Sequence, residues 1–291
     1  MSRASRTAGE DELAGRLATL DRRLRGLGSV LVAFSGGADS AFLLAAAARM
    51  LGPAKVAAAT AVSDSLADGE LEGARRFAAG LGVRHEFPPT HEMDSEGYRA
   101  NAGNRCYFCK SELIEVVLPL ARGLGLAAVA TGTNADDAVA GFRPGIRAAA
   151  ERGAVTPLLD SGLTKAQIRA ASRAWGLPTW DKPAAACLSS RVAYGIEITP
   201  ARLARVDRAE AALRAALAGA GLAVTDLRVR DLGADGARVE VDAHLVDVLA
   251  QRPDLLAAIQ GFSAVELDPR GFRSGSMNDA LLSARAQALA E

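Results

Sequence analysis

The sequence has few cysteines, histidines and aromatic residues, and it has no long apolar run. Its 291 residues include 3 cysteines and 3 histidines, and 4% of them are aromatic. So few cysteines exclude a disulfide scaffold, and their odd number favours metal binding or thiol chemistry. No apolar stretch reaches the roughly 20 residues of a membrane span, and the first residues do not resemble a secretory signal. We therefore expect a cytoplasmic protein with no membrane partner.

The chain also lacks an excess of either charge. Lysine plus arginine and aspartate plus glutamate both number 34, so the formal net charge at pH 7 is zero. Proteins that wrap nucleic acid usually carry a basic excess, so we expect no nucleic-acid partner. Hydrophobic residues make up 49% of the chain, which is enough for one large core or two smaller ones.

Strand and helix patterns alternate from residue 29 to about residue 180. The buried-strand pattern of VLVAF is followed by a glycine turn and an apolar helix, and KVAAATAV and AAVATGT repeat the strand pattern. Short apolar strands that alternate with helices are typical of parallel sheets covered on both faces. We therefore predict an α/β fold, with a doubly wound, mostly parallel sheet in a domain that spans residues 1–198.

The pattern changes at residue 199. Thr199 and Pro200 form a helix-start pair, and the segments DLRVRDLG and ARVEVD alternate apolar and charged residues. Such alternation is typical of half-exposed antiparallel strands. We predict a smaller α+β domain over residues 199–291 that serves substrate binding or oligomerisation, with a linker near residues 194–200.

The segment SGGADS lies between a predicted buried strand and a predicted helix. Its two glycines allow a sharp turn with exposed backbone N–H groups, and the helix start adds a positive dipole end suited to phosphate. The segment lacks the lysine of a Walker A loop, and an ordinary glycine-serine turn is the alternative interpretation. Its sequence resembles the PP-loop, SGGxDS, of the ATP pyrophosphatase superfamily, whose enzymes split ATP into AMP and pyrophosphate.

The PP-loop resemblance implies a set of nucleotide-binding residues. Five residues would hold the pyrophosphate of ATP: Ser35, Gly36, Gly37, Asp39 and Ser40. Asp39 would also help to bind Mg²⁺, a hard cation that prefers oxygen ligands. The segment TGTNADD follows a later strand, so it would lie at the carboxyl edge of the sheet, where such sheets bind ligands. Its candidates for nucleotide or metal binding are Gly132, Thr133, Asn134 and Asp137, although a helix cap explains such residues equally well. Arg143, in GFRPG, is either a phosphate ligand or part of a solvated loop.

Two of the three cysteines lie close together in GNRCYFCK, and the third lies far downstream in PAAACLSSR. Cys106 and Cys109 could form a redox pair, half of a zinc site or part of an iron–sulfur site. A zinc site would need His85 or His91 as an additional ligand, because the chain has too few cysteines. Cys187 by itself could also be a small buried side chain.

Three segments together resemble the LarE family of ATP-dependent sulfur transferases: NRCYFCK, DKPAAACLSSRVAYG (residues 181–195) and GFRSGSMND (residues 271–279). Members of this family make the pyridinium bisthiocarboxylic acid mononucleotide of the nickel-pincer cofactor. The resemblance runs from about residue 10 to residue 285. It implies that ATP adenylates the carboxylates of a pyridinium mononucleotide, which then become thiocarboxylates, and that the chain forms a homo-oligomer, namely a hexamer.

The same resemblance implies roles for the cysteines. In one branch of the family, the cysteine that matches Cys187 gives up its own sulfur. In another branch, cysteines that match Cys106, Cys109 and Cys187 bind a four-iron four-sulfur cluster. This chain has the three-cysteine pattern, so we expect the cluster, with sacrificial sulfur donation from Cys187 as the alternative mechanism.

The phosphate of such a substrate needs cationic partners. Arg191 follows Cys187 closely, and Arg228 and Arg230 lie two positions apart on one predicted strand, so their side chains point the same way. Arginine binds phosphate bidentately, and the resemblance favours these positions together with Ser190. Without the resemblance, a polar strand face is the favoured interpretation of LRVR. Weaker candidates are Ser189, Glu240 and residues 273–276.

Two other readings of the sequence stay open. Another PP-loop enzyme, such as a tRNA-thiolating enzyme or an amidating synthetase, would use the same glycine loop. The neutral charge argues against RNA binding, and amidation leaves the cysteines unexplained. From a different class, the chain could be a non-catalytic regulator that binds a nucleotide or a metal.

Overall fold

A computed structural model describes residues 8–139, 143–183, 186–273 and 275–276, except for the side chain of Asp68. The helices of these residues are α1 (Ala8–Leu27), α2 (Ala38–Leu51), α3 (Asp68–Gly80), α4 (Glu96–Arg99), α5 (Arg105–Gly123), α6 (Ala135–Val139), α7 (Pro144–Glu151), α8 (Pro157–Asp160), α9 (Lys165–Ala174), α10 (Pro200–Gly219), α11 (Val246–Ala250) and α12 (Pro253–Leu256). The strands are β1 (Val30–Ala33), β2 (Val56–Ala59), β3 (Arg84–Glu86), β4 (Ala128–Thr131), β5 (Leu227–Gly233), β6 (Gly236–Val241) and β7 (Ala264–Leu267). Within this described part of the chain, no helix is long and apolar enough to cross a bilayer.

The chain folds into two compact units, each assembled from several segments. The first takes its described residues from 1–63, 69–92 and 106–185, and the second from 64–68, 93–105 and 186–291. Cys106 and Cys109 therefore belong to the first unit, and Cys187 belongs to the second. The single domain boundary after residue 198 stays a prediction.

A parallel sheet forms the centre of the first unit. Its strand order is β3-β2-β1-β4, and Val30 of β1 is in register with Val56 of β2 and Ala128 of β4. The segments VLVA of β1 and VAAA of β2 are buried throughout, which is why they are apolar without alternation. Because the strand order reverses between β1 and β4, the carboxyl ends of these two strands form the switch point at which such sheets bind ligands.

Helices cover both faces of this sheet. On one face, Val32 of β1 shares a buried cluster with Phe42 of α2. On the opposite face, Leu31 of β1 and Val129 of β4 share a second cluster with Ile114 of α5. The predicted α/β class and doubly wound parallel sheet are thereby confirmed.

The second unit contains a smaller sheet with the strand order β5-β6-β7. β5 and β6 pair antiparallel, as predicted, whereas β7 joins β6 in parallel. Leu213 and Leu217 of α10 share a buried cluster with Val229 of β5 and Val239 of β6. The predicted smaller C-terminal α+β structure is therefore confirmed.

The alternation in DLRVRDLG predicts a half-exposed β5, and this prediction is wrong. The first five residues of β5 are all buried, and Arg228 and Arg230 are only 7% and 5% exposed. The alternating pattern is correct, but the charged face is covered as well as the apolar face. Since a buried charge is costly unless it is paired, this strand requires carboxylate partners in the interior.

Two helix starts follow their sequence signals. Thr164 caps α9 in a capping box with Gln167, whose side chain bonds back to the cap residue. The hydroxyl of Thr199 accepts a hydrogen bond from the backbone N–H of Arg202, and Pro200 occupies the first turn of α10. These caps fix where α9 and α10 begin.

Candidate functional site

The glycine loop, residues 35–40, connects β1 to α2 at the switch point. Gly36 has a φ angle of 72°, a left-handed conformation that glycine adopts without strain. Gly37 is the N-cap of α2, and no described side chain caps this helix, so its first backbone amides are available to a ligand. The hydroxyls of Ser35 and Ser40 lie 3.1 Å apart. The loop therefore has the local structure of an anion site.

Polar residues after β4 meet the glycine loop at the same edge of the sheet. The amide nitrogen of the Asn134 side chain donates to a carboxylate oxygen of Asp39 at 3.1 Å, and its oxygen accepts from the backbone N–H of Asp137 at 3.1 Å. Lys165 Nζ lies 3.2 Å from Asp137 Oδ1, and Arg143 Nη2 lies 3.7 Å from the same oxygen. The structure thus brings Asp39, Asn134 and Asp137 together. The contact between Asn134 and the Asp137 backbone agrees with a helix cap, and the contact between Asn134 and Asp39 agrees with a binding site.

Electrostatics favour a cation beside these carboxylates. Burial raises the pKa of Asp39, and the negative charge of Asp137 acts in the same direction. The positive charge of Lys165 and the hydrogen bond from Asn134 oppose this rise. A divalent cation bound by Asp39 and Asp137 would relieve the repulsion between them, and oxygen ligands suit Mg²⁺.

Gly132 allows the turn after β4 to approach the glycine loop closely. A Cβ atom on Gly132 would lie 2.8 Å from the backbone nitrogen and 3.0 Å from the Cα of Ser40. These are contacts with backbone atoms, which cannot swing aside as a flexible side chain does. The hydroxyl of Thr133 lies 3.1 Å from that of Thr131. Gly132 is therefore needed for the fit of two loops, which is a structural role at the candidate site.

Lys182, which the sequence pattern did not single out, also reaches the glycine loop. Its Nζ donates to the carbonyl oxygen of Gly36 at 3.1 Å and to Glu70 Oε2 at 2.6 Å. Lys182 follows Gly36 by 146 residues, so no local motif could have revealed the contact.

Cys106 and Cys109 lie one turn apart in the first part of α5. Cys106 is exposed and Cys109 is half-buried, and neither forms a disulfide. Lys110 follows directly; burial lowers the pKa of its ammonium group, whereas the Cys109 and Cys106 thiols act in the opposite direction. A Cβ on Gly145 would lie 3.2 Å from the Cys106 carbonyl oxygen, so the start of α7 approaches this turn closely. The two thiols are thus presented on one helical face.

Cys187 occupies a tightly bonded turn of the second unit. It is exposed, forms no disulfide and precedes the 3-10 helix Leu188–Arg191. Its carbonyl oxygen accepts from Ser190 N at 2.9 Å, from Ser190 Oγ at 2.7 Å and from Arg191 Nη1 at 3.0 Å. The backbone N–H of Leu188 donates to the carbonyl of Ser65 at 2.9 Å. We call residues 186–191 the Cys187 turn.

Three residues that the sequence analysis missed hold the Cys187 turn and the residues that follow it. The hydroxyl of Tyr98 bonds to that of Ser189, and Arg105 Nη1 donates to the Ser189 carbonyl at 2.8 Å. Asn101, with a φ angle of 50°, donates from its side chain to the carbonyls of residues 192, 193 and 196. Tyr98, Asn101 and Arg105 are buried, and no signal at their own positions marks them as part of this support.

The predicted phosphate-binding arginines come together in the second unit. Arg191 donates from Nε and Nη2 to both carboxylate oxygens of Glu210, at 3.0 and 3.2 Å. Arg230 Nη2 donates to Glu240 Oε2 at 2.7 Å, and its Nη1 donates to the Ser190 carbonyl at 3.0 Å. We define the arginine cluster as Arg191, Arg228, Arg230, Glu210 and Glu240, all of them buried. Glu210 was missed by the sequence analysis, because it resembles an ordinary polar residue of α10.

The arginine cluster brings like charges close together. The positive charges of Arg191 and Arg230 both act on Arg228, whereas the negative charges of Glu210 and Asp226 act in the opposite direction. Burial, reinforced by the charge of Arg191, lowers the pKa of Arg228 to about 10. The Nε of Arg230 is buried and has no hydrogen-bond partner among the described residues. A buried donor without a partner and neighbouring guanidinium groups that repel one another are both properties of an anion site.

The remaining candidates have other partners or lie outside the described residues. His85 Nε2 lies 2.8 Å from the Thr60 hydroxyl, and the His85 ring lies 4.1 Å from that of Phe87. Among the described residues, no group of three or more His, Cys, Asp or Glu side chains is arranged to hold a metal ion. Ser276 Oγ donates to Glu240 Oε1 at 3.0 Å, whereas Ser274 and residues 277–279 lie outside the described residues.

Three known proteins and one family model were found to match this chain. It is 42% identical over 274 residues to the uncharacterized protein slr1717 of Synechocystis sp., covering 92% of this chain and 99% of that protein. It is 34% identical over 276 residues to the pyridinium-3,5-bisthiocarboxylic acid mononucleotide synthase of Lactiplantibacillus plantarum, covering 94% and 97%. The uncharacterized protein MJ0830 of Methanocaldococcus jannaschii is 27% identical over 176 residues, covering 60% and 66%. A family model described as asparagine synthase matches residues 17–98, which include the glycine loop.

Proposed function

Since the chain belongs to the LarE family of pyridinium-3,5-bisthiocarboxylic acid mononucleotide synthases, we propose that it is an ATP-dependent sulfur transferase. It adenylates the carboxylates of a pyridinium dicarboxylic acid mononucleotide and converts them to thiocarboxylates for nickel-pincer cofactor biosynthesis. The match of residues 17–98 to the asparagine synthase family supports the use of ATP.

The observation that carries this proposal is the buried Nε–H of Arg230, which has no hydrogen-bond partner among the described residues and lies in a cluster of three buried arginines. A phosphate that accepted this N–H would satisfy the donor and offset the repulsion among the guanidinium groups. Arg230 and Arg191 also hold the carbonyls of Ser190 and Cys187. The groups that would bind the substrate phosphate are therefore the same groups that position the sulfur-bearing turn.

The glycine loop would hold ATP during activation of the substrate. A carboxylate oxygen of the substrate attacks the α-phosphorus, an O–P bond forms, and the bond from the α-phosphorus to the oxygen bridging to the β-phosphate breaks. Pyrophosphate leaves with that electron pair. The free amides at the start of α2 and the hydroxyls of Ser35 and Ser40 would stabilise its charge.

Asp39 and Asp137 would hold Mg²⁺ beside the phosphates. The raised pKa of Asp39, caused first by burial and also by the charge of Asp137, fits a site whose carboxylates need a cation. When bound, Mg²⁺ would neutralise phosphate charge. Asn134 keeps the Asp39 carboxylate oriented through its side-chain hydrogen bond.

Cys106, Cys109 and Cys187 would hold the iron–sulfur cluster. What supports this assignment is the donor type, because thiolates are the usual ligands of such clusters, none of the three cysteines forms a disulfide, and two of them stand one turn apart on α5. With three thiolate ligands, a bound four-iron cluster would supply one iron with an open position for an additional sulfide.

A sulfur nucleophile then attacks the acyl carbon of the adenylate. The C–S bond forms, the C–O bond to AMP breaks, and AMP leaves with the electron pair. In the alternative mechanism the nucleophile is the Cys187 thiolate; loss of its Cα proton and cleavage of its Cβ–S bond release the thiocarboxylate and leave dehydroalanine. The exposure of Cys187 on a firmly bonded turn supports sulfur handling at this residue.

We also propose that the chain assembles into a hexamer and is located in the cytoplasm. The mass of the purified protein by light scattering tests the first, and fractionation of the source cells tests the second.

The proposed function is tested by incubating the full chain, reconstituted anaerobically, with ATP, Mg²⁺ and the pyridinium dicarboxylate mononucleotide. We expect pyrophosphate release that depends on the mononucleotide, together with a thiocarboxylate product. Asp39→Ala should lower the release at least about 100-fold, because it removes both a cation ligand and the partner of Asn134. Asp21→Ala, on the exposed surface of α1, is the control that should retain wild-type release.

A mass spectrum of the chain after turnover separates the two sulfur sources. Loss of the mass of one H₂S identifies donation by Cys187, and an unchanged chain supports a renewable donor. Pyrophosphate release without dependence on the mononucleotide, or wild-type release by Asp39→Ala, contradicts the proposed function.

A further inference from the structure

The glycine loop has a cation that its motif does not contain. Lys182 Nζ lies 3.1 Å from the carbonyl oxygen of Gly36. A Cβ atom on Gly36 would be 3.8 Å from the same Nζ, so the ammonium group lies over the turn itself. The backbone of Lys182 is held in turn, because Arg169 Nη2 donates to its carbonyl at 3.0 Å.

A carboxylate of the first unit also holds this ammonium group. Glu70 Oε2 accepts from Lys182 Nζ at 2.6 Å, and the two side chains are 31% and 28% exposed. Lysine has three N–H donors; Gly36 and Glu70 take two of them and leave a third. Because the pair is partly exposed, its net stabilisation is small, and a more highly charged anion can displace Glu70.

We propose that Lys182 is a phosphate-binding residue of the nucleotide site, and that Glu70 occupies it until ATP arrives. The inference deepens the proposed function and rests on it. The β- and γ-phosphates of ATP take the ammonium group from Glu70, and Lys182 then stabilises the charge that develops on departing pyrophosphate. Lys182 thus supplies the point charge that a Walker A loop carries within its own motif.

The inference predicts opposite effects for the two partners. Loss of the Lys182 charge lowers the affinity for every ligand that carries the β-phosphate and leaves the affinity for AMP unchanged. Loss of the Glu70 charge removes both a competitor for Lys182 and a repulsive charge beside the phosphates, so ATP binds more tightly. If the pair had only a structural role, both variants would instead bind ATP, pyrophosphate and AMP more weakly.

Calorimetric titration of the full chain with ATP, pyrophosphate and AMP, each with Mg²⁺, tests the inference. We expect Lys182→Met to bind ATP and pyrophosphate about tenfold to hundredfold more weakly, and its affinity for AMP should stay within about twofold of wild type. Lys182→Arg should recover part of the pyrophosphate affinity, and Glu70→Gln should tighten ATP about twofold to tenfold. Glu72→Gln is the matched control, since Glu72 lies on the same helix in an exposed pair with Arg76.

Each result decides the question. The role of Lys182 is overturned if Lys182→Met binds pyrophosphate within twofold of wild type, or if it loses as much affinity for AMP as for pyrophosphate. In either case, ATP binding by the wild-type chain leaves the proposed function in place. A wild-type chain that binds neither ATP nor pyrophosphate overturns both. Should Lys182→Met fold poorly, Lys182→Gln and Glu70→Gln carry the same comparison, and looser ATP binding in Glu70→Gln counts against the inference.

Discussion

The glycine loop of the first unit and the arginine cluster of the second are both suited to phosphate, but they are built from different parts of the chain. The loop uses the uncapped amides at the start of α2 and the left-handed turn at Gly36. The cluster uses three buried guanidinium groups, and two of them, those of Arg191 and Arg230, are paired with Glu210 and Glu240. One site depends on backbone conformation, and the other depends on paired charges.

This difference determines how each site relates to stability. Backbone amides at a helix start are neutral groups that can stay hydrated until a ligand arrives, so the loop stores no unpaired charge. The arginine cluster must be paired at all times, because a buried charge without a partner is strongly destabilising. We therefore expect changes in the cluster to unfold the second unit, whereas changes in the loop impair binding first.

The largest effect should follow from breaking the Arg191–Glu210 pair. Arg191→Met leaves the buried carboxylate of Glu210 without its bidentate partner, and we expect a loss of about 3–5 kcal/mol in the free energy of unfolding. Adding Glu210→Gln should recover part of this loss, because the amide oxygen can still accept the hydrogen bond from Val229 N. Urea unfolding followed by far-ultraviolet circular dichroism measures these changes.

The exposed Arg238–Glu266 pair of the same sheet is the control for this experiment. Its side chains are 39% and 57% exposed, so Arg238→Met should cost less than about 1 kcal/mol. If Arg191→Met is no more destabilising than Arg238→Met, or if the double variant loses the sum of both single effects, the buried pair is not what stabilises the cluster.

The local structure of the glycine loop was easier to predict from the sequence than the burial of the arginine cluster. The loop and the caps at Thr164 and Thr199 are local signals, since their chemistry lies within a few consecutive residues. The prediction that β5 is half-exposed was wrong, because a charged residue in an alternating strand is normally expected in solvent. The buried carboxylate that β5 contacts, Glu210 of α10, is far away in the sequence. Lys182 was missed for the same reason, since it bonds to a residue 146 positions away.

A smaller effect is expected from adding a side chain at Gly132. Gly132→Ala introduces a Cβ 2.8 Å from the Ser40 backbone nitrogen, so the start of α2 must shift. We expect about 1–3 kcal/mol of destabilisation and at least about tenfold weaker ATP binding, measured by calorimetry. The loss of binding should exceed what the change in stability alone explains, because the shifted amides are the proposed ligands.

Gly73 provides the matched substitution in the same unit. It lies within α3, and a Cβ there would meet nothing within 4 Å, so Gly73→Ala should keep both stability and ATP affinity or raise stability slightly. Unchanged ATP affinity in Gly132→Ala would show that the close approach of the two loops does not shape the site.

The smallest expected effect is a change in stability with pH that is caused by His85, a half-buried histidine of the first unit. Burial, reinforced by the charge of Arg75, lowers the pKa of His85 to about 4, against 6.5 for the free side chain. The unfolded chain therefore binds an extra proton between those values, and the stability of the first unit should fall as the pH drops from 6.5 towards 4. Thermal unfolding followed by tryptophan fluorescence measures this, because Trp175 and Trp180 both belong to the first unit.

His85→Gln removes the titration while its amide can still donate to Thr60, so the melting temperature of this variant should depend less steeply on pH across that window. His91→Gln is the control, because it removes an exposed imidazole of the same unit. If the melting temperatures of His85→Gln and His91→Gln depend equally steeply on pH, the half-buried imidazole of His85 does not link stability to pH.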